Sequence, residues 1–215
     1  MAASLDSAQG LDESPMILLR NAATLDKCDD FISFLDIPGN SNQGFDGNMR
    51  LTRYICHEKL EEYWTTERIL EILDLAQIKA TSARDIQKDC LQMFSTLCYC
   101  LAPEYIVAFR RSFKDDGELP LRSEMAPGSW ATNDLRKKIY TDFRREQWQF
   151  APYIFDLRHT ISWLDHPRER IIPMDRGDTL SDGDEATVYK LHFTRNATTY
   201  RILTLYSRSL REMQG

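Results

Sequence analysis

The stretch with the most chemical potential is Leu180-Ser-Asp-Gly-Asp-Glu-Ala-Thr-Val-Tyr-Lys190. A phosphate-cradling loop of the form G-x-G-x-x-G-x-V lies between two strands, and its glycines let backbone amides close over a polyphosphate without side-chain obstruction. Set on that template, Val188 takes the valine position, and Ser181, Gly183 and Ala186 take the three glycine positions. Gly183 and Val188 are therefore the candidate cofactor-binding residues. Only one glycine is present, and Asp182, Asp184 and Glu185 put carboxylates where phosphates would pass. Like charges repel there unless a metal intervenes. No lysine follows Lys190, and the chain reaches no H-R-D or D-F-G sequence, so a catalytic base and magnesium ligands are not expected. No catalytic residue, cofactor or metal is expected.

The other reactive side chains are scattered. His159 and His166 with Asp156 and Asp165 form the one histidine–carboxylate grouping, and His57 and His192 stand apart. The order D-x-x-H…D-H could ligate a metal, but Trp163, Pro167 and neighbouring arginines suit a packed surface loop better. Cys28, Cys56, Cys90, Cys98 and Cys100 are five, an odd count that reads as free thiols. Cys98 and Cys100 are two apart, on different faces of a helix, which suits core filling better than zinc. No G-x-S-x-G, H-E-x-x-H or Walker A sequence is present. The acidic pairs Asp29-Asp30 and Asp115-Asp116 read as capping or solvated groups.

The elements that must position these groups are mainly helical. With 215 residues, 42% of them hydrophobic, the chain can bury a core. Residues 1–15 are polar and small and read as a disordered tail. Residues 16–113 read as a helical region. A first helix is expected near 24–35, stopped by Pro38 and Gly39, then a loop through Asn48. From Met49 the spacing of Leu51, Ile55 and Leu60 predicts a helix. Thr65 or Thr66 caps the next, with Ile69, Leu70, Leu73 and Ala76 as its buried stripe. Ser82 and Asp85 open a helix running to about Leu101 on Ile86, Cys90, Phe94, Leu97 and Cys98. Tyr105, Ile106 and Phe109 mark a short one.

Residues 114–132 read as a linker, with the glycine and prolines of DDGELP and APGSW. Residues 133–170 hold a helix capped by Asp134, with Leu135, Ile139 and Phe143 at intervals of four, then an extended segment after Pro152. Arg136, Lys137, Lys138, Arg144 and Arg145 crowd its solvent face, and residues 136–170 carry eight basic against five acidic side chains. That belt reads as a solvated face, with an acidic partner or phosphate as the sharper alternative. In residues 171–215 the period changes. Two strands or three are expected, with 186–193 and 200–206 the two located, joined by a turn at 194–198. The expected fold is thus mainly α, a helical region followed by a short antiparallel β segment.

Taken together, four segments resemble a family of filamentous-fungal proteins in which a helical N-terminal region leads into a serine/threonine-type protein kinase domain. Phe113-Lys-Asp-Asp-Gly-Glu-Leu-Pro-Leu121 resembles its acidic D-D-x-L-P stretch. Phe143-Arg-Arg-Glu-Gln-Trp-Gln-Phe150 with Ala151-Pro-Tyr-Ile-Phe155 is similar to its F-x-x-x-Q-W-x-F-x-A-P-x-F segment. Ile171-Ile-Pro173 corresponds to its I-L-P-F step, and Thr187-Val-Tyr-Lys190 to its T-V-Y-K. The likeness spans roughly residues 50–192. It implies that the last segment is the start of a kinase N-lobe. In full-length relatives it implies ATP-dependent phosphorylation of serine or threonine. The chain departs from the pattern at two of three loop glycines.

The expected function is therefore a non-catalytic interaction or regulatory protein, a truncated kinase-like remnant. The alternatives are a nucleotide-binding pseudokinase fragment and an enzyme of unrecognised class in a fungal pathway. A protein partner is expected at the helical region or the terminal strands. A net charge of −6 argues against nucleic acid and anionic membrane. No apolar run approaches a membrane span, and residues 1–15 lack a signal-peptide pattern, so a cytoplasmic location is expected.

Overall fold

The computed structural model describes residues 22–46, 50–123, 126–128, 130, 133–152, 171, 174–182, 186–193 and 207–208. The fold is mainly α-helical with a small two-stranded antiparallel sheet. Helix α1 spans Ala22–Asp36 and buries Thr24, Cys28, Phe31 and Leu35, one face at helical spacing. It stops before Pro38 and Gly39, where the Asn40 side-chain amide donates to the Phe34 carbonyl at 3.0 Å. Gly39 has φ +92°, a conformation that favours glycine.

Strands β1 (Asn42–Phe45) and β2 (Leu51–Tyr54) then form an antiparallel hairpin, with Asn42 opposite Tyr54. This corrects the expectation of a loop to Asn48 and a helix from Met49. Leu51 is 57% exposed, so the four-residue spacing to Ile55 marks no buried helical stripe. Tyr54 instead packs with Trp148 and Ile171, and the Ile55 amide donates to the Gln149 carbonyl at 2.8 Å. Pairing with β1, and packing against distant residues, win over local spacing.

Four helices follow: α2 (His57–Tyr63), α3 (Thr66–Leu75), α4 (Ala83–Asp89) and α5 (Leu91–Tyr99). Thr65 caps α3 by accepting from the Arg68 amide at 3.4 Å, and Ser82 caps α4 by accepting from the Asp85 amide at 3.1 Å. In α3 the buried residues are Ile69, Ile72 and Leu73, while Leu70 lies 49% exposed. The helix expected to run from Ser82 to Leu101 is two helices, broken at Cys90 (φ −139°, ψ 28°). The cause sits far along the chain. The Asp116 carboxylate accepts from the amides of Gln92 at 2.7 Å and Met93 at 2.9 Å, and so starts α5 afresh.

Helix α5 is the centre of the core, with seven buried residues between Leu91 and Cys98. Its buried hydroxyls return to their own helix, Ser95 donating to the Leu91 carbonyl and Thr96 to that of Gln92. Around it Phe31, Trp64 and Phe94 pack at ring-centroid distances of 4.8 and 5.1 Å. A second aromatic group joins Phe109 to Phe143 at 4.4 Å and to Trp130 at 4.9 Å. Phe109 belongs to α6 (Ile106–Phe113), which follows a single 3-10 turn at Pro103–Tyr105.

Helices α3 and α5 end in the same way. The Ile78 amide reaches the Leu73 carbonyl and the Gln77 amide that of Asp74; Ala102 and Leu101 do likewise to Leu97 and Cys98. These are Schellman ends, whose pivot residue is usually glycine. Here the pivots are Gln77 (φ 57°) and Leu101 (φ 55°). Gln77 is exposed, whereas Leu101 packs on the core. Gln77→Gly should therefore raise stability by about 0.5–1 kcal/mol, since a Cβ in this conformation is strained. Leu101→Gly should lower it through lost packing. Urea midpoints of the two variants check the contrast; a destabilised Gln77→Gly would contradict it.

Residues 114–121, whose glycine and proline suggest a linker, lie stitched to the core. Lys114 (φ 59°, ψ −70°) centres a γ-turn closed by the Asp115 amide on the Phe113 carbonyl at 2.7 Å. Asp115 then caps the Gly117 amide at 2.9 Å. Leu121 is buried, its amide bonded to the side-chain oxygen of Gln147 at 2.6 Å and its carbonyl to that side chain's nitrogen at 3.0 Å.

Helix α7 spans Asp134–Glu146 and is capped by Asn133, not Asp134: the Asn133 side chain accepts from the Arg136 amide at 3.1 Å. Its buried face is Ile139, Tyr140 and Phe143, and Leu135 is 52% exposed. Strands β3 (Met174–Asp182), β4 (Ala186–Phe193) and β5 (Ser207–Arg208) form an antiparallel sheet in the order β3-β4-β5. Strand β4 coincides with the expected 186–193. Strand β3 went unread, because Met-Asp-Arg-Gly-Asp-Thr-Leu-Ser-Asp shows no apolar alternation. Its pairing shifts register between Arg176 and Thr179 and again before Ser181. The expected turn 194–198 and strand 200–206 lie outside the described residues. Among the described residues, no helix is long and apolar enough to cross a membrane.

Candidate functional site

Of the residues singled out from sequence, the described ones lie on separate elements, Val188 and His192 on β4 and His57 on α2. Gly183 lies outside the described residues, as do Asp184, Glu185, His159, His166, Asp156 and Asp165. Val188 sits in β4 opposite Ser181 of β3, so the segment 183–185 joins two antiparallel strands. His192 is in the same strand, opposite Asp175. His57 opens α2 and faces Glu61 at 3.5 Å. Among the described residues, no group of three or more His, Cys, Asp or Glu side chains could hold a metal ion.

The cysteines are all free thiols. Burial pushes the Cys90 thiol up to about 11 and the Cys100 thiol to about 12. Burial also drives Cys98 well above its ordinary value, helped by the Cys28 thiol beside it. Such thiols keep their protons at neutral pH and are poor nucleophiles. The basic belt on α7 is partly offset from within, its five basic side chains sharing the helix with Asp134, Asp142 and Glu146. Lys137 meets Asp134 at 3.3 Å, and Arg145 meets Asp142 at 3.2 Å and Glu146 at 2.6 Å.

A different place gathers functional groups. A groove of about 380 Å³ runs between α1 and α3, floored by the end of α2. From α1 come Lys27, Asp30 and Phe34, at spacings of three and four, and Ile37 follows just past the end of the helix. They form a face flanking the buried stripe of that helix. From α3 come Arg68, Glu71 and Ile72, and α2 delivers Tyr63 with Trp64 just beyond it. The break between α2 and α3 is what places these two rings. Gln87 of α4 braces it, donating to the Trp64 carbonyl at 3.0 Å and accepting from the Thr66 hydroxyl at 2.8 Å.

The charges in the groove are arranged unequally. Lys27 and Glu71 close it with an ion pair at 2.8 Å, and the Glu71 carboxylate raises the Lys27 ammonium above its ordinary value. Both side chains are solvent-facing, so this pair contributes little to stability. Arg68 lies with its guanidinium carbon 4.3 Å above the Tyr63 ring and donates to the Tyr63 carbonyl at 3.4 Å. Burial pushes the Tyr63 phenol up to about 12, although Arg68 pulls it down. Among the described residues, neither Arg68 nor Asp30 has an ion-pair partner. The Trp64 indole N–H is buried and, among those residues, has no acceptor. The floor is apolar and aromatic, and Ile37 is 53% exposed at its open end.

An aromatic floor with separated fixed charges is equipped to hold a ligand. Sequence reading passed over it because Lys27, Asp30, Phe34 and Ile37 look like the ordinary boundary of an amphipathic helix. The one available signal was that Phe34 and Ile37 carry apolar character past the stripe that α1 needs for the core. The chain matches no protein-family model, no curated protein and no solved structure.

Proposed function

We propose that this chain is a non-catalytic interaction or regulatory protein whose contact face is the groove between α1 and α3. The observation that carries this reading is the groove itself: an open apolar floor holding Ile37 exposed and Arg68 and Asp30 without ion-pair partners among the described residues. An exposed large apolar residue in a concave, charge-edged site is what a partner can cover with profit.

The test compares two aspartate substitutions at equally exposed positions. Ile37→Asp places a charge in the groove, whereas Leu135→Asp places one on α7. A partner captured by the wild-type chain should lose at least about tenfold in affinity with Ile37→Asp, the range of a hot-spot residue. It should be held unchanged by Leu135→Asp. Equal retention by both variants would remove the groove from the function.

A second reading is a nucleotide-binding pseudokinase fragment. It draws on the β3–β4 hairpin, which brackets Gly183 and holds Val188, as a phosphate loop between strands requires. Asp182 and the acidic residues beside Gly183 oppose it by charge. Calorimetry with ATP and ADP, with and without Mg²⁺, separates the two: saturable binding weakened by Gly183→Asp favours the fragment reading.

A further inference from the structure

We infer that the α1–α3 groove binds a small zwitterion bearing a large apolar group, the chemistry of a free α-amino acid with an aromatic or branched side chain. The inference rests on reading the groove as a functional face. It adds what the groove takes.

The argument begins with charge. The groove presents two cations, Lys27 and Arg68, and two anions, Asp30 and Glu71, so its formal charge is zero. Lys27 and Glu71 satisfy each other at 2.8 Å. The remaining pair does not close. Arg68 lies over the Tyr63 ring and donates to the Tyr63 carbonyl, and it makes no ion pair with Asp30. One of its five N–H donors is used there, and the rest of the planar fork is free to take a carboxylate in two parallel bonds. Asp30 offers the complementary acceptor for an ammonium group. A ligand with one charge would satisfy one residue and face a like charge at the other: an anion would meet Asp30, and a cation would meet Arg68. A zwitterion satisfies both.

Size and polarity agree. About 380 Å³ is at the small end of ligand sites, enough for a molecule of a dozen or so heavy atoms and too little for a docked helix. The floor that such a side chain would cover is Phe34, Ile37, Tyr63 and Ile72.

The experiment titrates the full chain with L-phenylalanine and follows the NMR signals of the Trp64 indole and the Tyr63 and Arg68 amides. Two analogues go in parallel: 3-phenylpropionate, which lacks the ammonium, and 2-phenylethylamine, which lacks the carboxylate. Phenylalanine should saturate with a dissociation constant on the order of 1 mM. Each analogue should bind about tenfold more weakly, and Arg68→Gln and Asp30→Asn should each weaken phenylalanine by about the same factor. Arg68→Lys keeps the charge without the fork and should fall between. Absence of saturation at tens of millimolar, or equal binding of the singly charged analogues, would overturn the inference. Partner capture that depends on Ile37 while phenylalanine is ignored would overturn it alone. Phenylalanine binding with no partner lost on Ile37→Asp would overturn the docking reading alone.

Discussion

Gln147→Glu should destabilise the protein by about 3–5 kcal/mol at neutral pH, the range for an unpaired buried charge. It should recover much of that loss in acid. Gln147 is fully buried, yet every polar edge of its amide is used. Its oxygen accepts from the Leu121 amide at 2.6 Å. Its nitrogen donates to the carbonyls of Leu121 and Arg144, each at 3.0 Å. A carboxylate retains the first bond and turns the other two into repulsions between oxygens. The introduced carboxyl would titrate with its folded value raised, because burial and two carbonyls favour the proton. A raised folded value means stability is greatest below the unfolded value and is lost as pH climbs through the folded one. Protonated, the carboxyl donates to one carbonyl again. Gln147→Leu is the control: it leaves the Leu121 amide and carbonyl unpaired, at about 2–4 kcal/mol, with no added pH dependence. Urea unfolding across pH reads both. A Gln147→Glu variant within 1 kcal/mol of wild type at neutral pH would mean that residues 114–121 are held by something other than this amide.

That amide also marks where sequence reading stops. Helix periods were readable wherever one chain segment supplies its own reason. Thr65 and Ser82 announce α3 and α4 because a cap reaches only two or three residues onward. Ile139 and Phe143 announce α7 through spacing. What went unread depends on partners far away in the chain. The β1–β2 hairpin turns on Tyr54 meeting Trp148 and on the Ile55 bond to Gln149. The break at Cys90 turns on Asp116, and the packing of residues 114–121 on Gln147. In each case one polar group satisfies backbone atoms of another segment, and composition carries no trace of which group that is. The groove is hidden for a related reason. Its charges are ordinary in type, and the stacking of Arg68 on Tyr63 joins residues of two helices that no local pattern links.

Asp116 supplies the second large effect. Its carboxyl is pushed up to about 6. Burial is the main cause and outweighs the Gln92 and Met93 amides and His57, which pull it down. The folded protein therefore binds this proton more tightly than the unfolded chain does. Stability contributed by the group is highest below about pH 4, falls as pH rises through about 6, and is level above that. A shift of about 2 units corresponds to roughly 2–3 kcal/mol over that window, with half-exposed neighbours placing it at the lower end. Asp116→Asn keeps one acceptor for the start of α5 and cannot ionise. The difference in unfolding free energy between wild type and Asp116→Asn should thus change by about 2 kcal/mol between pH 4 and pH 7, in favour of the variant as pH rises. Asp116→Ala removes both acceptors and leaves the first amides of α5 unpaired, which should cost about 1–3 kcal/mol at pH 7 and about 2 kcal/mol more at pH 4, because alanine does not ionise either. The subtraction cancels every other titrating carboxylate. A pH-independent difference would show that the two amide bonds hold the carboxylate ionised, and that burial at this position is weaker than the packing of residues 114–121 implies.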